Sequence, residues 1–314
     1  MKRGLLFPGQ GSQVVGMGAA LYAAHPAARA VFDSADQTLG FALTTLCFEG
    51  PAGALTATEI AQPALLTHAI AVLAAIKASE PECSFDAVAG HSLGEWTALV
   101  AADALRFEDA VMLVHQRGRW MQEAVPVGIG AMAAVLGFDE ATVRVHCADA
   151  SDDAHLVVPA TFNGAGNTVV SGHAVAVDRL TARITAEGKA RVLPVKVSAP
   201  FHSPLMTPVE APLRAALDAI PIQAPRVPVR STARDGWLET AEDVRAALIE
   251  QLTAPVLWEH CMAALVAADH TEARVVGAGR SLARMVQRLR HPWSVKTLSG
   301  PTVPPSPVQW RGSV

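Results

Sequence analysis

The chain has little charge and few aromatic rings. Of its 314 residues, 17% are Asp, Glu, Lys or Arg, 5% are Phe, Trp or Tyr, and there is a single tyrosine. With a formal net charge of −4, it lacks the basic footprint of a nucleic-acid binder or a membrane-surface protein. Only four cysteines occur, Cys47, Cys83, Cys147 and Cys261. They form no Cys-x-x-Cys pair and sit at no metal-ligand spacing from a histidine. That argues against structural zinc and a disulfide framework, and for a reducing, cytoplasmic setting. No run approaches the ~20 uninterrupted apolar residues of a bilayer-spanning helix. The opening Met1-Lys2-Arg3 is followed only by Leu5-Leu6-Phe7 before Pro8-Gly9, short of the roughly 7–15 apolar residues of a secretion signal. Apolar residues, by contrast, make up 51% of the chain, enough for one large core with a smaller inserted lobe.

Gly4 to Phe7 reads as a short buried strand leading into the glycine-rich Pro8-Gly9-Gln10-Gly11-Ser12-Gln13. His25-Pro26 opens a helix, with proline well placed in the first turn. Gln62-Pro63 opens another, in which Leu65, Leu66, Ala69, Ile70, Leu73 and Ile76 recur at helical spacing. Phe85 to Ala89 is a second apolar strand, followed by Gly90-His91-Ser92-Leu93-Gly94 and a further helical pattern. Strand, tight turn and helix in succession predict an α/β fold with a parallel sheet. The middle of the chain then runs strand (131–136), helix (139–147), strands (156–158 and 168–170), helix (175–187) and strand (191–195). That β-α-β-β-α-β order predicts a ferredoxin-like lobe inserted at about 128–196, between large-lobe segments 1–127 and 197–300. α/β character ends with a strand at Arg274–Val276 and a helix through Leu289. The four prolines from Pro301 onward predict a disordered tail at 301–314.

Gly90-His91-Ser92-Leu93-Gly94 fits the G-x-S-x-G nucleophile elbow. A sharp strand-to-helix turn pushes the serine oxygen outward, and flanking glycines let neighbouring backbone pass without a Cβ clash. The helix that follows aims its N-terminal N–H groups at the same place, which suits a developing oxyanion. A glycine-rich turn with an ordinary serine is the plainer alternative, and the flanking strand and helix favour the nucleophile. Serine needs a base within hydrogen-bond reach. Of eleven histidines, His202 stands out weakly, in the proline-bracketed loop Ser198-Ala199-Pro200-Phe201-His202-Ser203-Pro204 where functional side chains tend to be presented. It could equally be a loop histidine without a role. His68, His115, His173 and His260 fall in helical or strand-edge patterns and look solvated or packed.

With these residues in view, the chain resembles the malonyl-CoA:acyl carrier protein transacylases and the related acyltransferase domains of polyketide synthases. The matching segments are Phe7-Pro8-Gly9-Gln10-Gly11-Ser12-Gln13, Gly90-His91-Ser92-Leu93-Gly94-Glu95, Arg117-Gly118, Val197-Ser198-Ala199-Pro200-Phe201-His202 and Gln251-Leu252 with Pro255-Val256. They occur in the family's order and leave only the last dozen or so residues unmatched. The resemblance implies an α/β-hydrolase-like large subdomain and a ferredoxin-like small one. It implies that Ser92 carries the acyl group, that His202 is general base and then acid, and that Gln251 holds the imidazole. Backbone N–H groups of Gln10 and Leu93 would form the oxyanion hole, and Arg117 would grip the free malonyl carboxylate. His91 and Asn163 become candidate substrate contacts. The implied reaction takes malonyl from coenzyme A to the phosphopantetheine thiol of an acyl carrier protein. No metal or bound cofactor, no nucleic acid and no membrane takes part, and a monomer is expected. Fatty acid synthesis, polyketide synthesis in trans and loading of a malonate decarboxylase carrier remain alternatives, as do a serine esterase or thioesterase and a non-catalytic scaffold. Where the family often has Gly-Pro-Gly-Lys, this chain has Gly277-Ala278-Gly279-Arg280.

Arg117 draws attention on pattern as well. On a helix from Phe107 to Ala124, it shares one face with Ala110, Leu113, Val114, Trp120 and Met121, while Arg119 lies opposite. An arginine in an apolar stripe is costly unless paired. A buried ion pair and a bidentate clamp for a substrate carboxylate both answer that need. Gln251, at helical spacing from Val244 and Leu248, reads either as a core-edge residue or as an ordinary polar helix end.

Phe201 resembles the malonyl-selecting form of its loop, where methylmalonyl-selecting forms carry serine. Its ring would fill the space an α-methyl branch needs. Phe201→Ser is therefore expected to admit methylmalonyl groups, raising their relative kcat/KM by roughly 10-fold, because one methyl is worth only ~1–3 kcal/mol in such a pocket. Unchanged discrimination between the two acyl-CoAs would count against the ring as selector.

Overall fold

The computed structural model describes residues 1–80, 83–197 and 199–298, so the tail at 301–314 lies outside the described residues. Within them the strands are β1 (Lys2–Phe7), β2 (Ala87–Gly90), β3 (Gly130–Leu136), β4 (Val157–Gly164), β5 (Asn167–His173), β6 (Arg191–Pro194), β7 (Val229–Arg230), β8 (Trp237–Leu238), β9 (His270–Val276) and β10 (Ser294–Leu298). They form a six-stranded sheet, β10-β9-β1-β2-β7-β8, and a four-stranded sheet, β4-β5-β3-β6. The first is parallel except where β8 turns back on β7. The second is antiparallel throughout. The mixed α/β class expected from the sequence is therefore the observed one, and the small sheet has the strand order of a ferredoxin-like unit.

The core of the large sheet is a run of small and branched apolar residues, Leu5, Leu6, Phe7, Val88, Ala89 and Val275, all buried. In parallel sheets both faces are covered, so such strands read as continuous apolar runs. Phe7 pairs with Gly90, so the loops after β1 and β2 leave the sheet side by side at its carboxyl edge. Ligand sites of open α/β sheets lie at that edge. In the small sheet the two-residue period separates two environments. Ala133, Val135 and Val170 join Val143, Val177, Leu180 and Ile184 of the covering helices Glu140–Ala150 and Ala174–Glu187. Met132 and Val169 point the other way, into a cleft facing the large sheet. The lobes are stitched together by a short bridge in which Val256 N–H donates to the Ala160 carbonyl (2.8 Å) and Phe162 N–H donates to the Val256 carbonyl (2.9 Å).

One expectation changes. The helix assigned a start at Gln62-Pro63 begins at Thr58 and runs to Ser79, with Pro63 inside it. Proline has no N–H for the carbonyl four residues back, Glu59. His115, on the helix Phe107–Glu123, supplies the missing donor: its Nδ1 lies 2.8 Å from the Glu59 oxygen. At Gly118 the two helices meet so closely that a Cβ would lie 2.6 Å from the Glu59 Cα. The same helix Thr58–Ser79 is long and apolar enough to cross a bilayer by length and composition, although polar residues interrupt its apolar run. It is instead the central helix of the core, with 72% of its most apolar window buried. The short strands β7 and β8 and the edge strand β10 were not legible from patterning.

His115→Ala leaves the Glu59 carbonyl without its donor and is expected to lower stability by about 1–2 kcal/mol. Urea unfolding measures this; an unshifted midpoint would show that the bond is dispensable.

Candidate active site

Between β2 and the helix Leu93–Ala101, Ser92 adopts φ 53 and ψ −111, a conformation that costs a non-glycine residue energy and persists only where its surroundings enforce it. The enforcement is steric. A Cβ on Gly90 would lie 1.8 Å from the Gly94 carbonyl carbon, and one on Gly94 would lie 2.2 Å from the Phe7 carbonyl oxygen. Only glycines let the elbow close against β1. Leu93 is the first residue of the helix, where N–H groups have no intrahelical acceptor. It lines the same cavity as Gln10, from the loop after β1.

His202 is also held at positive φ, 56°, and is buried. Its Nε2 lies 2.7 Å from Ser92 Oγ and its Nδ1 lies 2.9 Å from the main-chain carbonyl oxygen of Gln251. A carbonyl can only accept, so Nδ1 carries the proton and Nε2 is free to receive the serine's. Gln251 is the C-cap of the helix Ala241–Glu250. A capping box fixes the start of that helix, with the Thr240 hydroxyl accepting from Asp243 N–H and the Asp243 carboxylate accepting from Thr240 N–H. The last carbonyls of a helix lack internal partners and form the negative end of its dipole. The imidazole is thus oriented by a helix end rather than by the Gln251 side chain. Burial pushes the His202 pKa down to about 3, with the Arg117 charge and then His91 adding to the effect.

The Gln251 amide has other partners. Its Nε2 donates to the Ser92 carbonyl (3.1 Å) and to Glu95 Oε2 (2.9 Å), and its Oε1 accepts from Arg117 Nη2 (3.1 Å). Arg117 Nη1 donates to Gln62 Oε1 at 2.7 Å. Arg117 is 1% exposed, and burial lowers its pKa to about 10 while Glu95 opposes that shift, so it stays cationic at neutral pH. Its Nε, also buried, has no partner among the described residues. Glu95 accepts hydrogen bonds from the hydroxyls of Ser231 and Thr232, each at 2.7 Å, in addition to Gln251. Burial raises its pKa and these donors work against the rise.

Ser92, His202 and Arg117 open onto one cavity of about 230 Å³. Phe201, Met121, Met132, Val169 and Val197 give it apolar walls, and Lys196 lies at its rim. Asn163, at the end of β4, holds His91 through Oδ1···Nε2 at 2.9 Å, and the His91 ring packs on Trp258. His91 and Asn163 therefore tie the small sheet to the elbow while lining the cavity. Every site residue proposed from the sequence falls in or against this cleft, although Gln251 acts through a main-chain atom. Two members went unread. Glu95 was the one charge in an apolar helix, a signal of the kind that drew attention to Arg117. Gln62 was taken only as a helix start.

The acyl transferase domain family matches residues 5–290 of the chain. The malonyl CoA-acyl carrier protein transacylase of Bacillus subtilis is 43% identical over 300 residues, covering 96% of this chain and 94% of the relative. That of Escherichia coli K12 is 40% identical over 298 residues, covering 95% and 96%. Among solved structures, the transacylase of Coxiella burnetii superposes with a TM-score of 0.92 at 37% identity, covering 96% of this chain and 94% of that one. A malonyl-transacylase solved in complex with its type II PKS acyl-carrier protein matches with a TM-score of 0.92 at 34% identity, covering 96% and 97%.

An imidazole can act as a base only when neutral, and the burial that pushes the His202 pKa down to about 3 keeps it neutral across the ordinary range. Inactivation of Ser92 by a neutral sulfonyl fluoride is therefore expected to proceed at a constant second-order rate from about pH 8 to about pH 5, falling only below that. An acid limb centred near the ordinary histidine value of about 6.5 would contradict the depressed basicity.

Proposed function

The chain belongs to the acyl transferase domain family, and on that premise we propose that it moves malonyl from coenzyme A to the phosphopantetheine thiol of an acyl carrier protein through malonyl-Ser92. The observation that carries this reading is the buried Arg117 guanidinium. It faces the cavity that holds the Ser92–His202 pair, with neutral amides at two donors and a third donor unfilled. A planar guanidinium with free donors suits a carboxylate bidentately. A simple esterase has no use for it.

In the first half-reaction, Ser92 Oγ attacks the thioester carbonyl as its proton passes to His202 Nε2. The oxyanion is received by the backbone N–H groups of Gln10 and Leu93. The carbon–sulfur bond then breaks and the coenzyme A sulfur takes the proton back from His202. In the second half the phosphopantetheine thiol gives its proton to His202 and its sulfur attacks the acyl-serine carbonyl; the ester C–O bond then breaks and Ser92 Oγ takes the proton back from His202 Nε2. The Gln251 carbonyl holds the imidazole in one tautomer throughout and stabilises its charged form. The small lobe, 128–196, closes the cavity through Asn163, Met132 and Val169, keeping water from the ester. No resident cofactor enters: the pantetheine arm arrives on the partner. Fatty acid and polyketide synthesis both need this step, and the four free thiols suit a reducing cytoplasm.

Malonyl-CoA is expected to leave a malonyl adduct on Ser92, seen by intact-protein mass spectrometry and absent in Ser92→Ala, which a holo carrier protein discharges. Arg117→Ala should lower malonyl transfer by roughly 100-fold or more, about 3 kcal/mol, while sparing or raising acetyl transfer. Malonyl transfer at the parental rate in that variant would remove the clamp from the mechanism.

A further inference from the structure

Glu95 is a carboxylate that neither half-reaction uses. It sits on the first turn of the elbow helix and is 0% exposed. Burying such a group is costly unless it is paired and hydrogen-bonded. The hydrogen bonds are all donated to it. Ser231 Oγ already accepts from the N–H groups of Ala233 and Arg234, so its own proton goes to Glu95 Oε1 at 2.7 Å. Glu95 Oε2 receives the Thr232 hydroxyl (2.7 Å), the Gln251 amide (2.9 Å) and the Thr232 N–H (3.3 Å). The Ser231 hydroxyl and the two N–H groups can only donate here. That environment suits the ionised acid.

The charge that balances it is Arg117. Among the described residues no carboxylate forms an ion pair with that guanidinium, whose Nη1 and Nη2 donate to the amide oxygens of Gln62 and Gln251. Glu95 acts on it from further off and holds its pKa up against burial. A single amide lies between the two charges. Gln251 Oε1 accepts from Arg117, while Nε2 donates to Glu95 and to the Ser92 carbonyl. The amide can face only one way, with its nitrogen toward two acceptors and its oxygen toward a donor. The separation has a consequence for binding. A carboxylate in direct contact would occupy donors that a substrate carboxylate needs, whereas no counter-charge would leave a lone cation in the core. With the amide interposed, the guanidinium is compensated and its Nε stays without a partner among the described residues.

We propose that Glu95 is the standing counter-ion of the Arg117 clamp: it balances the guanidinium while the cavity is empty and limits how tightly the clamp grips the malonyl carboxylate. This rests on the malonyl-transfer reading above. Glu95 is a positioning residue, acting through Gln251 and Arg117 without touching the acyl group. A grip equal in ground state and transition state lowers KM without raising kcat, so restraining it costs the reaction little and lets the acyl group leave.

The test is Glu95→Gln in the full chain, which removes the charge and keeps an oxygen for the Gln251 amide to donate to. Acylation of Ser92 by malonyl-CoA and by acetyl-CoA is followed by quenched intact-protein mass spectrometry. The malonyl-to-acetyl ratio of kcat/KM should rise about tenfold, as for one charge acting across a few ångströms of protein, chiefly through a lower half-saturating concentration of malonyl-CoA. An equal change for both acyl groups would make Glu95 merely structural and overturn the proposal. A fall in the ratio overturns it too, because Glu95 would then be needed to place the clamp and not to restrain it. Thermal unfolding gives a second readout that does not require the single variant to fold. Arg117→Ala strands Glu95 as a lone buried anion, so Glu95→Gln/Arg117→Ala should melt about 2 °C or more above Arg117→Ala. A double variant melting at or below the single one refutes the pairing. Failure of the parent protein to form malonyl-Ser92 would instead overturn the underlying reading, while the melting comparison would still report whether the two charges are coupled.

Discussion

Four groups of the site meet at one residue, Gln251, and the arrangement depends on its being fixed. Its carbonyl sets the His202 tautomer, while its side chain joins the Ser92 carbonyl, Glu95 and Arg117. The residue is fully buried, and a buried amide with all its partners in place is rigid, whereas a partly satisfied one is costly. Because one side chain touches both the elbow and the guanidinium, a shift at either is felt at the other. The role an aspartate often plays beside a catalytic histidine is split here. The helix end supplies the acceptor, and the buried carboxylate of Glu95 is one residue removed, shared with Arg117 through the amide.

The fold delivers this junction with few elements. Loops after β1 and β2 emerge together because Phe7 and Gly90 are paired, and the glycines of the elbow allow Ser92 to rise between them. Ser231 and Thr232 follow β7 at the same edge and hold Glu95. Arg117 reaches the cavity because Gly118 lets its helix press against the backbone of the helix Thr58–Ser79. That approach also brings Gln62 to the guanidinium and His115 to the carbonyl orphaned by Pro63. One proline, one glycine and one histidine thus place the arginine.

Patterning reached the long, strongly periodic elements: β1, the elbow, the β-α-β-β-α-β middle segment and the Arg117 helix. It missed β7 and β8, two residues each, since so short a strand has no period to detect. It placed the start of the helix Thr58–Ser79 at Pro63, because proline normally marks a first turn and the compensating donor lies 52 positions away. In the site, Ser92 and Arg117 were visible because local context makes them anomalous, whereas His202 needed the resemblance to stand out from ten other histidines. The Gln251 contact could not be read from residue type, because the atom facing His202 is one every residue possesses. Glu95 could have been read, being a lone acid between Gly94 and Trp96 in an apolar helix, and burial of such a group calls for partners as surely as burial of Arg117 does.

The charges of the site also bear on selectivity. In the free protein Arg117 and Glu95 offset each other across Gln251, and His202 is neutral mainly because it is buried and secondly because Arg117 faces it. Burial alone would make His202 a weak base for any substrate. On the proposed reading, a bound malonyl group adds one negative charge against Arg117 and offsets the repulsion felt by a forming imidazolium when His202 takes the serine proton. An uncharged acyl group fills the cavity without doing so. An interaction that grows as charge develops lowers the barrier rather than merely tightening binding. On that reading the carboxylate is read twice, by the guanidinium on entry and by the imidazole during proton transfer, and discrimination against uncharged acyl groups should enter kcat as well as KM.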